Sequence, residues 1–118
     1  MGHLNVEGDE LVLDLSGMER LEGLHGDIRV PVSTVRDVRW TDDPWSELRG
    51  IRAPGTGMPG VVAVGTRRGR AIKDFAAIHG QGPAVVVELE GAEYGRLVVT
   101  EENAESAAAD LKRLVGLP

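Results

Sequence analysis

Glycine and proline recur so often over the first 100 residues that no long helix fits there. The short segments left between them are therefore strands or turns. In "ELVLDLS", Leu11, Leu13 and Leu15 fall on one side, with Glu10 and Asp14 among those on the other, which is the two-residue period of a half-buried strand. "HLNVEG" reads as a short strand before it. "DIRVPV" places Ile28, Val30 and Val32 together, with Pro31 marking a bulge or an edge. "TVRDVRW" continues as a strand on which Val38 and Trp40 share a face. "VVAVGT" and "RAIKDF" flank "RRG" as a hairpin, and "PAVVVELE" and "YGRLVVT" flank "GAE" as a second.

Three stretches are expected to be less regular. "GMERLEGLHG" has room for a single turn packing Met18, Leu21 and Leu24. "TDDPWSELRG" is a turn in which Asp43 before Pro44 starts one helical turn. "IRAPGTGMPG" reads as an irregular lead-in, with Pro59-Gly60 setting the turn into the next strand. The long helix comes last, over about 103–115. Asn103 is placed to cap it, Ala104, Ala107, Ala108, Leu111, Leu114 and Val115 form one face, and Gly116 ends it. Six to eight short strands followed by one amphipathic helix predict a mainly β domain, an antiparallel barrel or sandwich whose helix covers an open end or edge.

At 118 residues the chain has the length of one domain, predicted to span 1–118. It contains no cysteine, which excludes a disulfide framework, a thiolate zinc site and a cysteine nucleophile. No basic segment leads into a sustained apolar run, and no apolar stretch approaches membrane-spanning length, so the sequence predicts a cytoplasmic protein. Its net charge of −6 argues against non-specific nucleic-acid binding, which needs a basic face. Trp40, Trp45, Phe75 and Tyr94 are its whole aromatic complement, too few for a base-stacking platform. Arginine outnumbers lysine eleven to two, and Gly, Ala and Val abound, the bias of a GC-rich bacterial genome.

The order strand, "PG", "VVAVGT…G…KDF", "VVVELEGAEYGRLVV", then a capped helix beginning "NAE", resembles bacterial proteins with a pleckstrin-homology-like fold. The resemblance covers roughly residues 10 to 115 and is densest from Pro59 to Leu111. It implies a strongly bent antiparallel sandwich of about seven strands with the carboxy-terminal helix plugging one corner. It also implies binding or assembly in place of catalysis. Phosphoinositide-binding members carry a basic first hairpin, whereas the corresponding turn here is about Glu7-Gly8-Asp9, whose acids repel phosphate. The family's lipid activity therefore does not transfer.

The candidate sites are few. "GTGMPG" is a literal G-x-G-x-x-G with Asp74 nineteen residues after Gly55. A dinucleotide cradle needs a strand before the motif and a helix after it, but a β-branched run follows, and Pro59 removes one backbone donor. Arg67, Arg68, Arg70 and Lys73 are the one concentration of positive charge. They are either a solvated hairpin tip or a site for a phosphate or carboxylate on an acidic peptide or head group. His3, His25 and His79 have no ligand spacing, no serine sits in a nucleophile elbow, and Glu88 and Glu90 read as a solvent-facing pair, so neither metal, cofactor nor catalytic residue is assigned. Val86 and Val98 are expected side by side on the outer face of the second hairpin as an apolar patch. Trp40 and Trp45 either join such a contact surface or cap the core. The function expected is a non-catalytic module that self-associates or binds a protein partner; the alternative is anion or acidic-lipid binding through the Arg-rich hairpin.

Overall fold

Alternation in the amino-terminal third does build strands. The computed structural model describes residues 2–17, 19–20 and 26–118. Strands β1 (His3–Glu7), β2 (Glu10–Asp14) and β3 (Ile28–Pro31) form an antiparallel sheet with β2 in the middle. Leu11, Leu13, Ile28 and Val30 are buried, and Pro31 ends an edge strand, where its missing N–H costs no ladder bond. The turn expected to pack Met18, Leu21 and Leu24 lies outside the described residues. Before it, Gly17, Glu19 and Arg20 are helical, and Ser16 and Glu19 bond reciprocally. The Glu19 amide donates to Ser16 Oγ at 3.2 Å, and the Ser16 amide to Glu19 Oε1 at 2.9 Å.

The second sheet holds six strands: β4 (Val35–Thr41), β5 (Ile51–Met58), β6 (Val62–Gly69), β7 (Ile72–His79), β8 (Ala84–Leu89) and β9 (Arg96–Thr100). They lie in the order β4-β8-β9-β7-β6-β5. Both expected hairpins are present, β6–β7 and β8–β9. Among the described residues the fold is mainly β, with nine strands in two sheets, neither closed into a barrel, and β7 runs parallel to β9. The "IRAPGTGMPG" stretch departs from expectation, since Ile51–Met58 is a strand. Its partner β6 supplies the ladder that local propensity does not, from Met58↔Val62 back to Ile51↔Arg68. Pro54 falls in a register shift between Arg52 and Gly55 on an edge strand, where a residue without an N–H is tolerated.

Helix α1 (Ala104–Leu114) packs on β4 and β8 through Ala104, Ala108 and Leu111. Leu114, expected on that face, is 61% exposed. Asn103 holds the N-cap position without a side-chain bond, and its carbonyl accepts from the Ala107 amide at 2.9 Å. The helix stops as predicted. The Gly116 amide donates to Arg113 O and the Leu117 amide to Lys112 O, and Leu117 folds back onto the core.

Two apolar cores result, one on each face of the six-stranded sheet. The larger lies between the two sheets and α1, and includes Leu13, Ile28, Phe75, Val87, Leu97 and Leu111, with Phe75 edge-on to Tyr94 at 6.0 Å. The smaller, on the opposite face, comprises Ala63, Ala76, Ile78, Ala84, Val86 and Val98. It is closed by the connection between β4 and β5, because these consecutive strands occupy opposite edges of the sheet. Residues 42–50 must therefore cross the face as a strap. Five strand intervals at about 4.8 Å make roughly 24 Å, a distance that nine residues cover only along a direct path. Pro44–Glu47 forms a single 3₁₀ turn within it, with Pro at its first position as predicted.

Candidate functional site: a strapped sheet face and the groove beside it

The strap is fixed by chemistry matched to the face beneath it. Toward one end of the face the sheet offers the apolar residues of the smaller core, and Trp45 and Leu48 pack onto them. Trp45 Nε1 donates to Gly80 O at 2.9 Å, so the indole nitrogen has a partner where the ring lies on the sheet. Toward the other end the same face carries Arg39, Asp74, Glu88 and Arg96. Arg39 makes a two-bond fork to Glu47 at 2.7 and 3.0 Å, and Arg96 makes one to Glu88 at 2.7 and 3.0 Å. Arg96 also donates to the Glu47 carbonyl at 2.9 Å. Arg49 at the end of the strap forks onto Asp74 at 2.8 Å through both nitrogens. Three arginine–carboxylate forks and the Arg96 bond to the Glu47 carbonyl thus tie Glu47 to β4 and β9, Arg49 to β7, and β9 to β8.

These pairings set the charge states. The hydrogen bond from Arg39 holds the Glu47 carboxyl below its usual range, helped by the charge of Arg96 and opposed by burial. Burial works against ionisation of Glu88 more than any single partner works for it, yet Arg96 and Arg39 together still depress its pKa. Glu90 lies beyond the end of β8, exposed and 3.5 Å from Arg36, so Glu88 and Glu90 have separate partners. Protonated Glu88 is what an acid/base pair would need, and the two arginines favour its anion.

Val86 and Val98 are directly paired, as the hairpin predicts, and both face away from the larger core. They are nevertheless buried, at 0% and 1% exposure, because the strap covers them. The apolar patch anticipated there is a second core. Trp45 belongs to its lid. Trp40 pairs with Val85 near the sheet edge, stays 43% exposed, and borders a cleft with Glu105, Ala109 and Lys112 of α1.

The cationic hairpin does not converge. Arg67 turns toward the strap and donates to Arg49 O at 3.1 Å and Gly50 O at 2.8 Å. Arg68 and Lys73 are a cross-strand pair on the other face by strand alternation, where Lys73 binds Glu93 at 2.7 Å and sits 5.0 Å from the Tyr94 ring centre. Arg70 is at the exposed tip. Asp74 is a buried partner of Arg49 on β7, and the glycine motif leads from strand β5 into strand β6, so neither has the setting of a dinucleotide site. His3 lies 4.0 Å from Glu101 and His79 3.5 Å from Glu19, and His25 lies outside the described residues. Among the described residues no group of three His, Asp or Glu side chains is placed to hold a metal.

The feature that sequence reasoning missed flanks the strap. Trp45, Leu48, Ile51, Met58, Pro59 and Val62 line an open groove of about 560 Å³ along β5, with Gly57, Ala63 and Arg67 completing it. Ile51 is 73% exposed, Met58 58%, and Val61 in the following turn 54%. The signal was the apolar Ile51 and Met58 bracketing a glycine-rich stretch, which alternation cannot recognise as a strand. Buried Glu19 was missed too, although Ser16-x-x-Glu19 is a capping-box spacing. Its Oε2 accepts the Gly2 amide at 2.7 Å. No family model, curated protein or solved structure matches the chain.

Proposed function

We propose that the protein is a non-catalytic interaction module that holds a protein partner in the groove along β5. The observation that carries this reading is the exposure of Ile51 and Met58 in a groove that Trp45 and Leu48 also line. Large apolar side chains exposed together on one edge mark a contact surface more often than isolated ones do. The pleckstrin-homology-like resemblance points to the same class of function. A head-group site at the Arg-rich hairpin has less support, because Arg67 and Lys73 are engaged on opposite faces.

Affinity purification from lysate of the source organism tests the reading, comparing the wild-type chain with Ile51→Asp, Met58→Asp and, as a control on the helix, Leu114→Ser. A partner that travels with the wild type and the control, and is lost from both groove variants, is the expected result. Recovery of no partner, together with a monomer at high protein concentration, overturns it.

A further inference from the structure

The strap is joined to the sheet by side chains. Among the described residues no backbone–backbone hydrogen bond links residues 42–49 to a strand, and the Leu48 amide, which donates to Trp45 O at 3.4 Å, stays within the strap. Its attachments are the Trp45 bond to Gly80 O, the forks at Glu47 and Arg49, and the bonds from Arg96 and Arg67 to the carbonyls of Glu47, Arg49 and Gly50. The six strands beneath pair with one another and keep their ladders without it.

Lifting the strap also leaves little charge uncompensated. Arg96 and Glu88 stand on paired strands and keep their own fork. Arg39 retains Glu88 Oε2, 3.4 Å away, when Glu47 departs. Asp74 exchanges the Arg49 guanidinium for water. The apolar face under the strap is built of small side chains, of which Ile78 is the largest. An element that breaks no ladder bond and uncovers little apolar surface opens at a lower free energy than the whole domain unfolds.

We propose that residues 42–50 open and reclose as a unit over a sheet that stays folded, and that opening extends the groove along β5 into the smaller core. Trp45 and Leu48 line the groove and cover this core, and Ala63 belongs to both. Both ends of the strap continue into strands, so it rises from the face and returns to it without swinging free. The motion does not depend on whether the groove holds a partner.

The chain has no cysteine, so a single introduced thiol reports on its own position. Val86→Cys, with Val98→Cys as a second probe, places the thiol under the strap. Val87→Cys places it on the other face of the same strand, in the larger core. Labelling by an aromatic disulfide is followed below the urea midpoint and normalised to the rate in full denaturant; where reclosing outpaces labelling, the ratio measures the open population. Val86→Cys is expected to label at least roughly tenfold faster than Val87→Cys without urea, and to respond less to urea because opening exposes less surface than unfolding. Glu47→Ala should speed labelling of Val86→Cys. Ile28→Val, which weakens only the larger core, should speed Val87→Cys about two- to tenfold and leave Val86→Cys unchanged. Circular dichroism and melting temperature establish that each variant is folded. Equal rates and equal urea dependence on the two faces, or acceleration of Val86→Cys by Ile28→Val, would show that the strap opens only with the whole molecule and would overturn the proposal. Labelling under the strap that Glu47→Ala does not change would overturn the role given to the forks. No partner enters these measurements, so their failure is distinct from failure of the lysate experiment.

Discussion

Ala71 shows how a single position can be under strain while the fold around it is well formed. The β6–β7 hairpin turns through Arg70 and Ala71, and Ala71 sits at φ 58°, where a Cβ crowds the following carbonyl. Glycine was expected at the turn, but Gly69 is the last residue of β6 and the left-handed position falls on the alanine. Ala71→Gly should stabilise the protein by about 0.5–1 kcal/mol, the relief of strain less the added freedom of the unfolded chain. A lower melting temperature in the variant than in the wild type would contradict this account. Gly50 is the converse case. At φ 73°, a Cβ built there would lie 2.5 Å from the Arg68 carbonyl oxygen, so the strap can pass this close to β6 only without a side chain.

Among the elements, the strap determines most about the surface. It has one 3₁₀ turn and no ladder of its own, yet it converts the outer face of the six-stranded sheet into a core. Trp45 supplies the largest apolar side chain of this cover. Trp45→Ala should cost about 2–4 kcal/mol in urea unfolding and uncover Val86 and Val98, visible as dye binding by an otherwise folded protein. If stability is unchanged, the smaller core is not sealed by this residue. The expected strands were largely legible because alternation in "ELVLDLS" and β-branched runs in "VVVELE" report burial on their own. The irregularity assigned to "IRAPGTGMPG" was wrong because Gly and Pro lower strand propensity locally, whereas β6 supplies hydrogen bonds from outside the window.

For the molecule as a whole, a Cα radius of gyration of 12.8 Å is close to the roughly 13.5 Å of a single compact domain of this length. Much of its electrostatics is internal. The Asp27 carboxyl is held below its usual range chiefly by the Leu15 amide, and Glu47 and Glu88 by their arginines. Folded-state pKa values below unfolded ones contribute stability above the unfolded pKa, and that contribution is lost as pH falls through the folded values. The urea midpoint should therefore hold from pH 7 to about 5 and decline below about 4.5. Arg96→Ala should lower the midpoint at pH 7 and make the acid decline shallower, since Glu88 and Glu47 lose a shared cation. A decline as steep as in the wild type would show that these carboxylates do not carry the pH dependence.

The residues themselves determined the mainly β character, both hairpins, the terminal helix and its stop, because periodicity, turn chemistry and capping are written in short windows. The strand order was settled only by folding. Placing β4 and β5 at opposite edges required residues 42–50 to cross the sheet, and that crossing buried Val86 and Val98 and left Ile51 and Met58 exposed beside Trp45 and Leu48. Alternation tells which side of a strand a residue faces. What lies over that side depends on where the chain returns, and contacts between distant segments set that path.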